Sequence, residues 1–340
     1  MQTPDRKDLL PQIANVTKDN FGTLAGAVFA LQRSNNQLYA ALCHASFGLQ
    51  ADRLAKEGLF PPGMQGNIPF LPISFFKNRL VKTGDWQEQT LFSSSGTTGQ
   101  SPSQHAVREL DFYLVNTRRG FSAFYGDPSN WTILALLPSY LERKGSSLVA
   151  MADYFIRLSR PLESGFFLHD FTALRDRLQV CRQKARPTLL LGVSFALLDF
   201  AEAFPMDLSG VTIMETGGMK GRRAELTRTE LHDFLKQSWQ VPVIHSEYGM
   251  TELFSQAYST GTTRFQPAPT MRVIATEIYD PFSVQEYGKT GVLNVLDLAN
   301  LDSCSFIQTE DIGRVFPDGS FEVLGRLDAA ELRGCNLMVE

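Results

Sequence analysis

A short segment rich in hydroxyl groups is the first place where this sequence could perform chemistry. The segment Phe92-Ser-Ser-Ser-Gly-Thr-Thr-Gly-Gln-Ser-Pro-Ser103 holds seven Ser or Thr side chains and two glycines in twelve residues. Glycines let backbone N–H groups turn toward an anion and hydroxyls add further donors, so the composition fits a loop that binds phosphate. A flexible Gly/Ser linker has a similar composition. No lysine follows Gly99, which excludes a Walker-type loop.

Three further segments place polar groups where predicted strands end. Gly217 and Gly218 would let a flat ligand approach the backbone closely, although a tight turn has the same requirement. The segment Ser246-Glu-Tyr-Gly-Met-Thr-Glu252 offers an aromatic ring for stacking, a hydroxyl for phosphate and a carboxylate for a metal ion. The segment Thr309-Glu-Asp-Ile-Gly313 adds a pair of carboxylates, and a plain turn is the alternative there. Together these groups suit a nucleotide with its Mg²⁺ ion.

The hydrophobic pattern predicts the elements that must position these groups. Apolar residues recur at three- and four-residue intervals over residues 4–57, which indicates helices. Buried strands then alternate with helices, which predicts a parallel sheet covered by helices. We predict strands at 131–137, 188–193, 211–216 and 241–245, and helices at 109–124, 147–158, 194–204 and 222–239. From residue 271 the pattern changes to short strands separated by turns, at 272–279, 291–297, 305–308, 314–316 and 321–324.

Composition and charge narrow the class of protein. Hydrophobic residues make up 43% and charged residues 20% of the 340 residues, which is the balance of a globular protein with ample core. The net charge of −4 gives no indication of nucleic-acid binding. The first residues lack the apolar stretch of a signal peptide, and no run approaches the ~20 apolar residues that cross a bilayer. We therefore expect a cytoplasmic protein without a transmembrane segment.

The order of the polar segments resembles a known group of enzymes. Ser94–Gly99, Tyr248–Glu252, Glu310-Asp311 and Gly325-Arg-Leu-Asp328 are similar to successive core motifs of the adenylate-forming enzyme superfamily. The closer resemblance is to its acyl-protein synthetase (LuxE-type) family, and it covers nearly the whole chain. The segments that carry this closer resemblance are Pro69–Lys77, Ser94–Ser103, Pro138–Tyr140, Gly145–Leu148, Glu215–Arg222, Glu247–Gln256 and Arg333–Leu337.

The resemblance implies a fold and a division of the chain. The expected fold class is α/β, with helix-covered, largely parallel sheets of the adenylate-forming N-terminal domain type, a small β-rich C-terminal subdomain and no large mobile C-terminal domain. Residues 1–90 would form a helical region packed on the core, and residues 91–268 the nucleotide-binding core. Residues 269–340 would form the β subdomain, with a hinge-like segment and a C-terminal arm.

The resemblance also implies roles for single residues. In such enzymes the hydroxyl-rich loop wraps the ATP phosphates, the Gly-Gly junction and Tyr248 hold adenine, and Asp311 binds the ribose hydroxyls with Arg326 nearby. Thr251 would contact the α-phosphate and the substrate carboxylate, and Glu252 would help bind Mg²⁺. The full nucleotide-binding set is Ser94, Ser95, Gly96, Thr97, Thr98, Gly99, Gly217, Gly218, Tyr248, Gly249, Asp311 and Arg326.

Two departures from the superfamily pattern bear on mechanism. The superfamily loop usually continues with Gly-x-Pro-Lys, so here His105 or Arg108 would have to supply positive charge. The superfamily also carries a catalytic lysine in a C-terminal domain that follows the Gly-Arg-x-Asp hinge. The expected sequence of that domain does not follow Asp328. Cys335, which lies in this part of the chain, is therefore considered as a further reactive group.

Cys335 is the candidate acyl acceptor. The acyl-protein synthetase family carries its acyl group on a cysteine near the C-terminus, and Cys335 matches that place; neighbouring Arg333 would favour the thiolate. An inert tail cysteine is the alternative. Cys181 and Cys304 are expected to be packing residues, and the spacing of the cysteines predicts no disulfide framework or metal site.

The predicted function is ATP-dependent activation of a fatty or other apolar carboxylic acid as acyl-AMP. The acyl group would pass to Cys335 and then to a partner such as a reductase or a carrier protein. One alternative is a ligase that acylates CoA or a carrier-protein thiol while Cys335 stays idle. A second alternative is a catalytically degenerate protein that only binds adenylate.

Overall fold

The structure is a computed structural model that divides into two compact units. Unit 1 comprises 1–89, 103–108 and 269–340, and unit 2 comprises 90–102 and 109–268. The residues that it describes are 4–47, 68–94, 101–138, 145–159, 162–217 and 226–327.

The helices and strands are numbered here in chain order. The helices are α1 (Arg6–Ala14), α2 (Phe21–Asn35), α3 (Gln37–Phe47), α4 (Phe75–Asn78), α5 (Leu110–Tyr125), α6 (Ser147–Leu158), α7 (Phe171–Gln183), α8 (Ser194–Ala203) and α9 (Arg228–Trp239). The strands are β1 (Leu71–Pro72), β2 (Thr90–Ser93), β3 (Gln104–Val107), β4 (Thr132–Leu136), β5 (Gly165–Phe166), β6 (Thr188–Val193), β7 (Val211–Thr216), β8 (His245–Tyr248), β9 (Ala257–Ser259), β10 (Gln266–Pro267), β11 (Met271–Thr276), β12 (Thr290–Asp297), β13 (Phe306–Val315) and β14 (Phe321–Arg326). Within the described ranges, no helix combines the length and apolar character that a bilayer-spanning segment requires.

Unit 2 is built on a seven-stranded sheet in the order β10-β9-β8-β7-β6-β4-β5. Strands β5, β4, β6, β7 and β8 run parallel, while β9 and β10 add an antiparallel edge. Every residue of β4 and β6 is buried, as expected for apolar strands that are covered on both faces. The predicted helix-covered, largely parallel sheet is therefore confirmed.

The fourth parallel strand differs from its prediction. We predicted residues 241–245, but β8 begins at His245 and ends at Tyr248. Pro242 has no N–H to contribute to a ladder, and Val243 is 38% exposed, so neither residue suits the interior of a buried strand. As a result, Ser246, Glu247 and Tyr248 belong to the strand itself and not to the loop after it.

Helix α9 begins later than its prediction of 222–239. Thr227 caps the helix: its hydroxyl accepts a hydrogen bond from the N–H of Glu230, and the Glu230 carboxylate accepts one from the N–H of Thr227. Such a reciprocal capping box satisfies two N–H groups that have no partner within the helix. The first residue of α9 is therefore Arg228.

The sheet of unit 1 has the order β1-β13-β12-β11, and β14 pairs with β13. We predicted two short strands at 305–308 and 314–316, but β13 is one strand, with a register shift between Ile312 and Gly313. A Cβ at Gly313 would lie 2.0 Å from the backbone oxygen of Glu322, so only glycine allows β14 to approach there. The segment Thr309–Gly313 therefore lies inside a strand and is not a turn.

Contacts between distant parts of the sequence hold the core of unit 1 together. The buried Gln32 side chain donates to the Asn300 carbonyl at 2.9 Å and accepts from the Ser305 N–H at 2.9 Å. The ring of Tyr39 stacks on Phe306 with the centroids 5.7 Å apart. Helices from the beginning of the chain and strands from its last third thus share one compact unit; the predicted three-region division stays a prediction.

Cys43, Cys181 and Cys304 are buried free thiols. Burial raises the pKa of Cys43 to about 12, so this thiol stays protonated at neutral pH. Because the thiolate is the reactive form, these cysteines are suited to packing and not to catalysis.

We expect Gln32→Ala to lower the free energy of unfolding by about 1–3 kcal/mol, because the variant leaves the Ser305 N–H buried without its partner. Urea denaturation measures this change. The matched control is Gln12→Ala on α1, whose exposed side chain donates only to the backbone of its own helix. Equal effects of the two substitutions would show that the Gln32 contacts do not stabilise unit 1.

Candidate nucleotide site

The hydroxyl-rich segment enters from β2 of unit 2. Phe92 is buried in that strand, and the N–H of Ser93 donates to the carbonyl of Gly145 at 2.6 Å. Gly145 has φ +83, and a Cβ there would lie 3.0 Å from the Leu91 carbonyl oxygen. Glycine at this position therefore allows the two backbones to approach closely, which fixes the entry to the loop.

Three aromatic rings connect this entry to the segment after Glu252. We name Phe92, Tyr113 and Phe254 the aromatic triad. The centroid of Tyr113 lies 4.8 Å from Phe92 and 5.1 Å from Phe254, and the rings of Phe92 and Phe254 are 6.3 Å apart. The Asn116 amide donates to the Phe254 carbonyl at 2.9 Å. The triad thus brings together two motifs that are far apart in the sequence.

The ends of β7 and β8 form a second part of the candidate site. In their parallel register Thr216 is opposite Glu247, so Gly217 and Tyr248 follow at the same edge of the sheet. Gly217 has φ +69, a conformation that favours glycine, and its carbonyl accepts a hydrogen bond from the Ser194 hydroxyl. Ligands of parallel sheets bind at this carboxyl edge. Gly217 and Tyr248 therefore lie at the edge of the sheet where parallel sheets bind ligands.

Tyr248 packs against a second aromatic ring. The centroids of Tyr248 and Phe265 are 5.7 Å apart and their planes are tilted by 54°. The guanidinium of Arg228, the first residue of α9, lies 4.3 Å from the centroid of the Phe265 ring. Arg228 also donates to the Ser246 hydroxyl at 3.1 Å, and its Nε is 3.5 Å from the Glu215 carboxylate. These contacts hold the start of α9 against the ends of β7 and β8.

Glu247 is a buried carboxylate that our site predictions did not include. Thr216 donates a hydrogen bond to it, while burial, with the Glu215 charge as a further cause, raises the pKa of Glu247 to about 7. A Cβ at Gly249 would lie 2.4 Å from Glu247 Oε1, so any side chain at this position would have to displace the carboxylate. The sequence does show an acidic residue immediately before Tyr248. Had β8 been predicted with its observed bounds, this residue would have been expected inside a buried strand.

Thr251 and Glu252 lie in the turn after β8. The Leu253 N–H donates to the Met250 carbonyl at 3.1 Å, which closes the turn, and Glu252 is only 6% exposed. Among the described residues, no group of three or more His, Cys, Asp or Glu side chains could hold a metal ion. A Mg²⁺ ion that binds through one carboxylate, phosphate oxygens and water does not need such a group. Glu252 fits that kind of site.

Two predicted ribose-binding residues lie together in unit 1. Asp311 on β13 is opposite Arg326 on β14, and Arg326 Nε donates to Asp311 Oδ1 at 3.2 Å. The N–H of Asp311 donates to the Thr309 hydroxyl at 3.0 Å. Asp311 is 5% exposed, so these contacts orient a carboxylate that has little freedom to move.

His105 and Arg108, proposed above as sources of charge, interact within unit 1. His105 is fully buried, and its Nε2 is 2.8 Å from the Ser303 hydroxyl. Arg108 lies 3.3 Å from the Asp302 carboxylate. Several predicted site residues lie outside the described residues and stay predictions: Ser95, Gly96, Thr97, Thr98, Gly99, Gly218 and Cys335.

Comparison with known proteins adds evidence on the fold. No protein-family model matches this chain, and no curated protein matches it. An open conformation of 2-hydroxyisobutyryl-CoA ligase, in complex with 2-HIB-AMP and CoA, is 13% identical with a TM-score of 0.61, over 92% of this chain and 75% of that chain. The ATP-bound RpMatB-BxBclM chimera B3 is 17% identical with a TM-score of 0.52, over 72% and 50%. O-succinylbenzoate-CoA synthetase (MenE) from Bacillus subtilis, in complex with AMP, is 16% identical with a TM-score of 0.50, over 81% and 54%.

This chain has the fold of these three proteins. The α/β fold of the adenylate-forming N-terminal domain type, expected from the sequence, is thereby confirmed. The chain spans about half the length of the first solved structures that it matches, for example 50% of the MatB chimera. At these identities the likeness concerns the fold alone.

The raised pKa of Glu247 predicts a specific dependence of stability on pH. The folded-state pKa of about 7 lies above the ordinary glutamate value of about 4.3, so between these values only the unfolded chain has released the proton. The free energy of unfolding should therefore fall as pH rises through this interval and level off above it, by on the order of 3 kcal/mol in total.

Glu247→Gln should remove this fall, because the amide does not titrate. Urea denaturation of both proteins at a series of pH values measures the difference, and the control is Glu286→Gln at an exposed position of unit 1. If the free energies of unfolding of wild type and Glu247→Gln change in parallel with pH, the Glu247 carboxylate is ionised throughout the interval. Its environment is then polar enough to stabilise the charge.

Proposed function

We propose that this chain activates a carboxylic acid with ATP, forming acyl-AMP and pyrophosphate. The observation that carries the proposal is the aromatic triad, which places the entry of the hydroxyl-rich loop beside the turn with Thr251 and Glu252, in a fold found in ATP- and AMP-bound ligases. An oxygen of the acid attacks the α-phosphorus, and the bond to the pyrophosphate oxygen breaks. A poor electrophile is thereby converted into an acyl group with a good leaving group, AMP.

The residues of unit 2 contribute by binding and orientation. Ser94 begins the loop assigned to the phosphates, and Gly217 with Tyr248 and Gly249 is assigned to adenine. Thr251 would hold the α-phosphate and the acid carboxylate at reacting distance, which accounts for a large share of the rate in reactions between two bound substrates. Glu252 would hold Mg²⁺, which when bound neutralises charge that develops on the phosphates. The roles of Asp311 and Arg326 toward the ribose stay predictions from resemblance.

The second half of the proposed reaction transfers the acyl group to a thiol. A thiolate attacks the acyl carbon and the bond to AMP breaks, which leaves a thioester and releases AMP. From the resemblance to acyl-protein synthetases we propose Cys335 as the first acceptor and a partner protein as the next. A CoA or carrier-protein thiol is the second candidate acceptor, and the names of the matching CoA ligases favour it.

The adenylation step predicts acid-dependent exchange of pyrophosphate into ATP. We expect at least one acid of a broad panel to support exchange, and Glu252→Gln to slow it by about 100-fold, because a lost charge contact in the transition state has about that effect. The control, Glu286→Gln, changes an exposed side chain of unit 1 and should retain the wild-type rate. Background exchange with every acid would contradict the proposal and favour a protein that only binds adenylate.

The transfer step predicts a covalent adduct. After incubation with ATP, Mg²⁺ and an accepted acid, intact-mass analysis should show the acyl mass on the protein, labile to hydroxylamine and absent from Cys335→Ala. Cys181→Ala is the control, because that thiol is buried and should not accept the acyl group. An adduct that persists in Cys335→Ala, or a thioester that forms only on added CoA or carrier protein, would assign the acceptor elsewhere.

A further inference from the structure

Among the described residues of unit 2, three buried side-chain polar atoms have no hydrogen-bond partner: Thr132 Oγ1, Gln256 Oε1 and the Tyr258 hydroxyl. Two of them, in Gln256 and Tyr258, lie close together in the sequence, in residues that are 4% and 1% exposed. Buried polar atoms are almost always paired in folded proteins, because leaving them unpaired forfeits their hydration without compensation. Two such atoms within three residues of the chain are a feature that requires an explanation.

Both residues are neighbours of Glu247, and we name Glu247, Gln256 and Tyr258 the polar patch. Tyr258 on β9 is directly opposite Glu247 on β8, so both side chains lie on the same face of the sheet. The Cβ position of Gly249 is 2.4 Å from Glu247 Oε1 and 3.5 Å from Gln256 Cγ, so these two side chains meet around the same glycine. This glycine directly follows Tyr248 and precedes Thr251 by two residues. The patch therefore lies beside the turn to which we assign the acid carboxylate.

Aromatic rings of α5 pack on one part of the patch. Beside another part, a glycine of the same helix presents no side chain. The ring of Tyr258 packs on Phe121 and Phe124 of α5, with centroids 6.1 and 5.3 Å away. At Gly120 the same helix presents no side chain toward Gln256, whose Oε1 is 3.9 Å from the Cβ position of that glycine. The helix thus offers carbon surface but no donor to the amide oxygen.

The chemistry of the patch defines what it could bind. The amide nitrogen of Gln256 is directed to the Phe254 carbonyl at 3.5 Å, which leaves the amide oxygen as a buried acceptor without a partner. Glu247 accepts a hydrogen bond from Thr216, and its carboxylate offers further acceptor capacity. The Tyr258 hydroxyl can donate or accept. A ligand that pairs with the Gln256 oxygen must bring a hydrogen-bond donor, because an amide oxygen only accepts.

We propose that the acid activated by this chain carries a hydroxyl or amino group on its tail, which Gln256 and Tyr258 bind beside Glu247. The inference rests on the function proposed above and deepens it by naming the class of acid. An unsubstituted fatty acid would leave both buried atoms unpaired. Sites built to hydrogen-bond a substrate group strongly reject the analogue that lacks it, for that reason.

Pyrophosphate exchange tests this class of substrate directly. Unsubstituted acids of short, medium and long chain are compared with hydroxy and amino acids of the same carbon number. We expect the hydroxy or the amino series to be used at least about 10-fold more efficiently, as kcat/KM, than the unsubstituted series; the faster of the two series identifies the donor. A preference for unsubstituted acids overturns the inference and leaves the proposed function standing. Exchange with no acid overturns both.

Tyr258→Phe and Gln256→Met remove the two unpaired atoms at nearly constant volume. In each variant the efficiency with the preferred acid should fall, mainly through a higher KM, while that with the matched unsubstituted acid should rise. Equal losses for both acids would show that the two residues act only through the fold.

Thermal unfolding distinguishes a binding role from a structural one. Tyr258→Phe should unfold at the same or a higher temperature than wild type, because no hydrogen bond is lost in the free protein. The matched control, Tyr113→Phe, should unfold at a lower temperature, because its hydroxyl donates to the Ser147 carbonyl at 2.8 Å. Destabilisation of Tyr258→Phe equal to that of Tyr113→Phe would mean that the Tyr258 hydroxyl has a structural partner, and would overturn the inference.

Discussion

The polar chemistry of unit 2 depends on an apolar contact, the packing of Phe92 on Tyr113 and Phe254. Phe92, the first residue of the hydroxyl-rich segment, is buried in this cluster and holds the end of β2 in place. Aromatic pairs of this geometry contribute about 0.5–1.5 kcal/mol beyond their buried area. The same rings fix the backbone after Glu252, so one cluster sets the separation of two polar segments.

Strand register then gives two neighbouring carboxylates different environments. Glu215 is opposite Ser246, and Thr216 is opposite Glu247, so the two acids lie on opposite faces of the sheet. On one face Glu215 is within 3.5 Å of both Arg228 and His232. On the other face Glu247 has a threonine hydroxyl and aromatic neighbours, and burial raises its pKa. A shift of one residue in β8 would move Glu247 to the face of the sheet that holds Glu215.

The sequence predicted those parts of the structure that depend on local pattern. Strands β6 and β7 and helix α6 have the predicted bounds, because unbroken apolar runs and the Ser146 cap define them within a few residues. The fold and the neighbourhood of Gly217 and Tyr248 followed from the order of the motifs. The sequence patterns gave wrong bounds for elements that are determined by contacts with residues far away in the sequence. Strand β13 is continuous because β12 and β14 flank it, although its polar centre reads as a turn.

Long-range contacts explain the other differences. Nothing near Gln32 indicates that its amide will bond to Asn300 and Ser305, which are 268 and 273 residues away. The environment of Glu247 likewise depends on Tyr258 from the next strand and on the exact start of β8. Local periodicity carries no information on such partners, so the buried polar patch could only be found in three dimensions.

The division of unit 1 between the two ends of the sequence has a consequence for biosynthesis. Helices α2 and α3 leave the ribosome before unit 2, yet Phe306, against which Phe29 and Tyr39 pack, is made only after all of unit 2. Unit 2 forms from a nearly continuous stretch and can fold while synthesis proceeds, whereas the early helices wait with apolar rings exposed. Translation therefore imposes an order in which helices α2 and α3 are made before unit 2 but are buried against Phe306 only after it. The nascent chain is most exposed to aggregation, and to chaperones that recognise apolar segments, along its N-terminal helices.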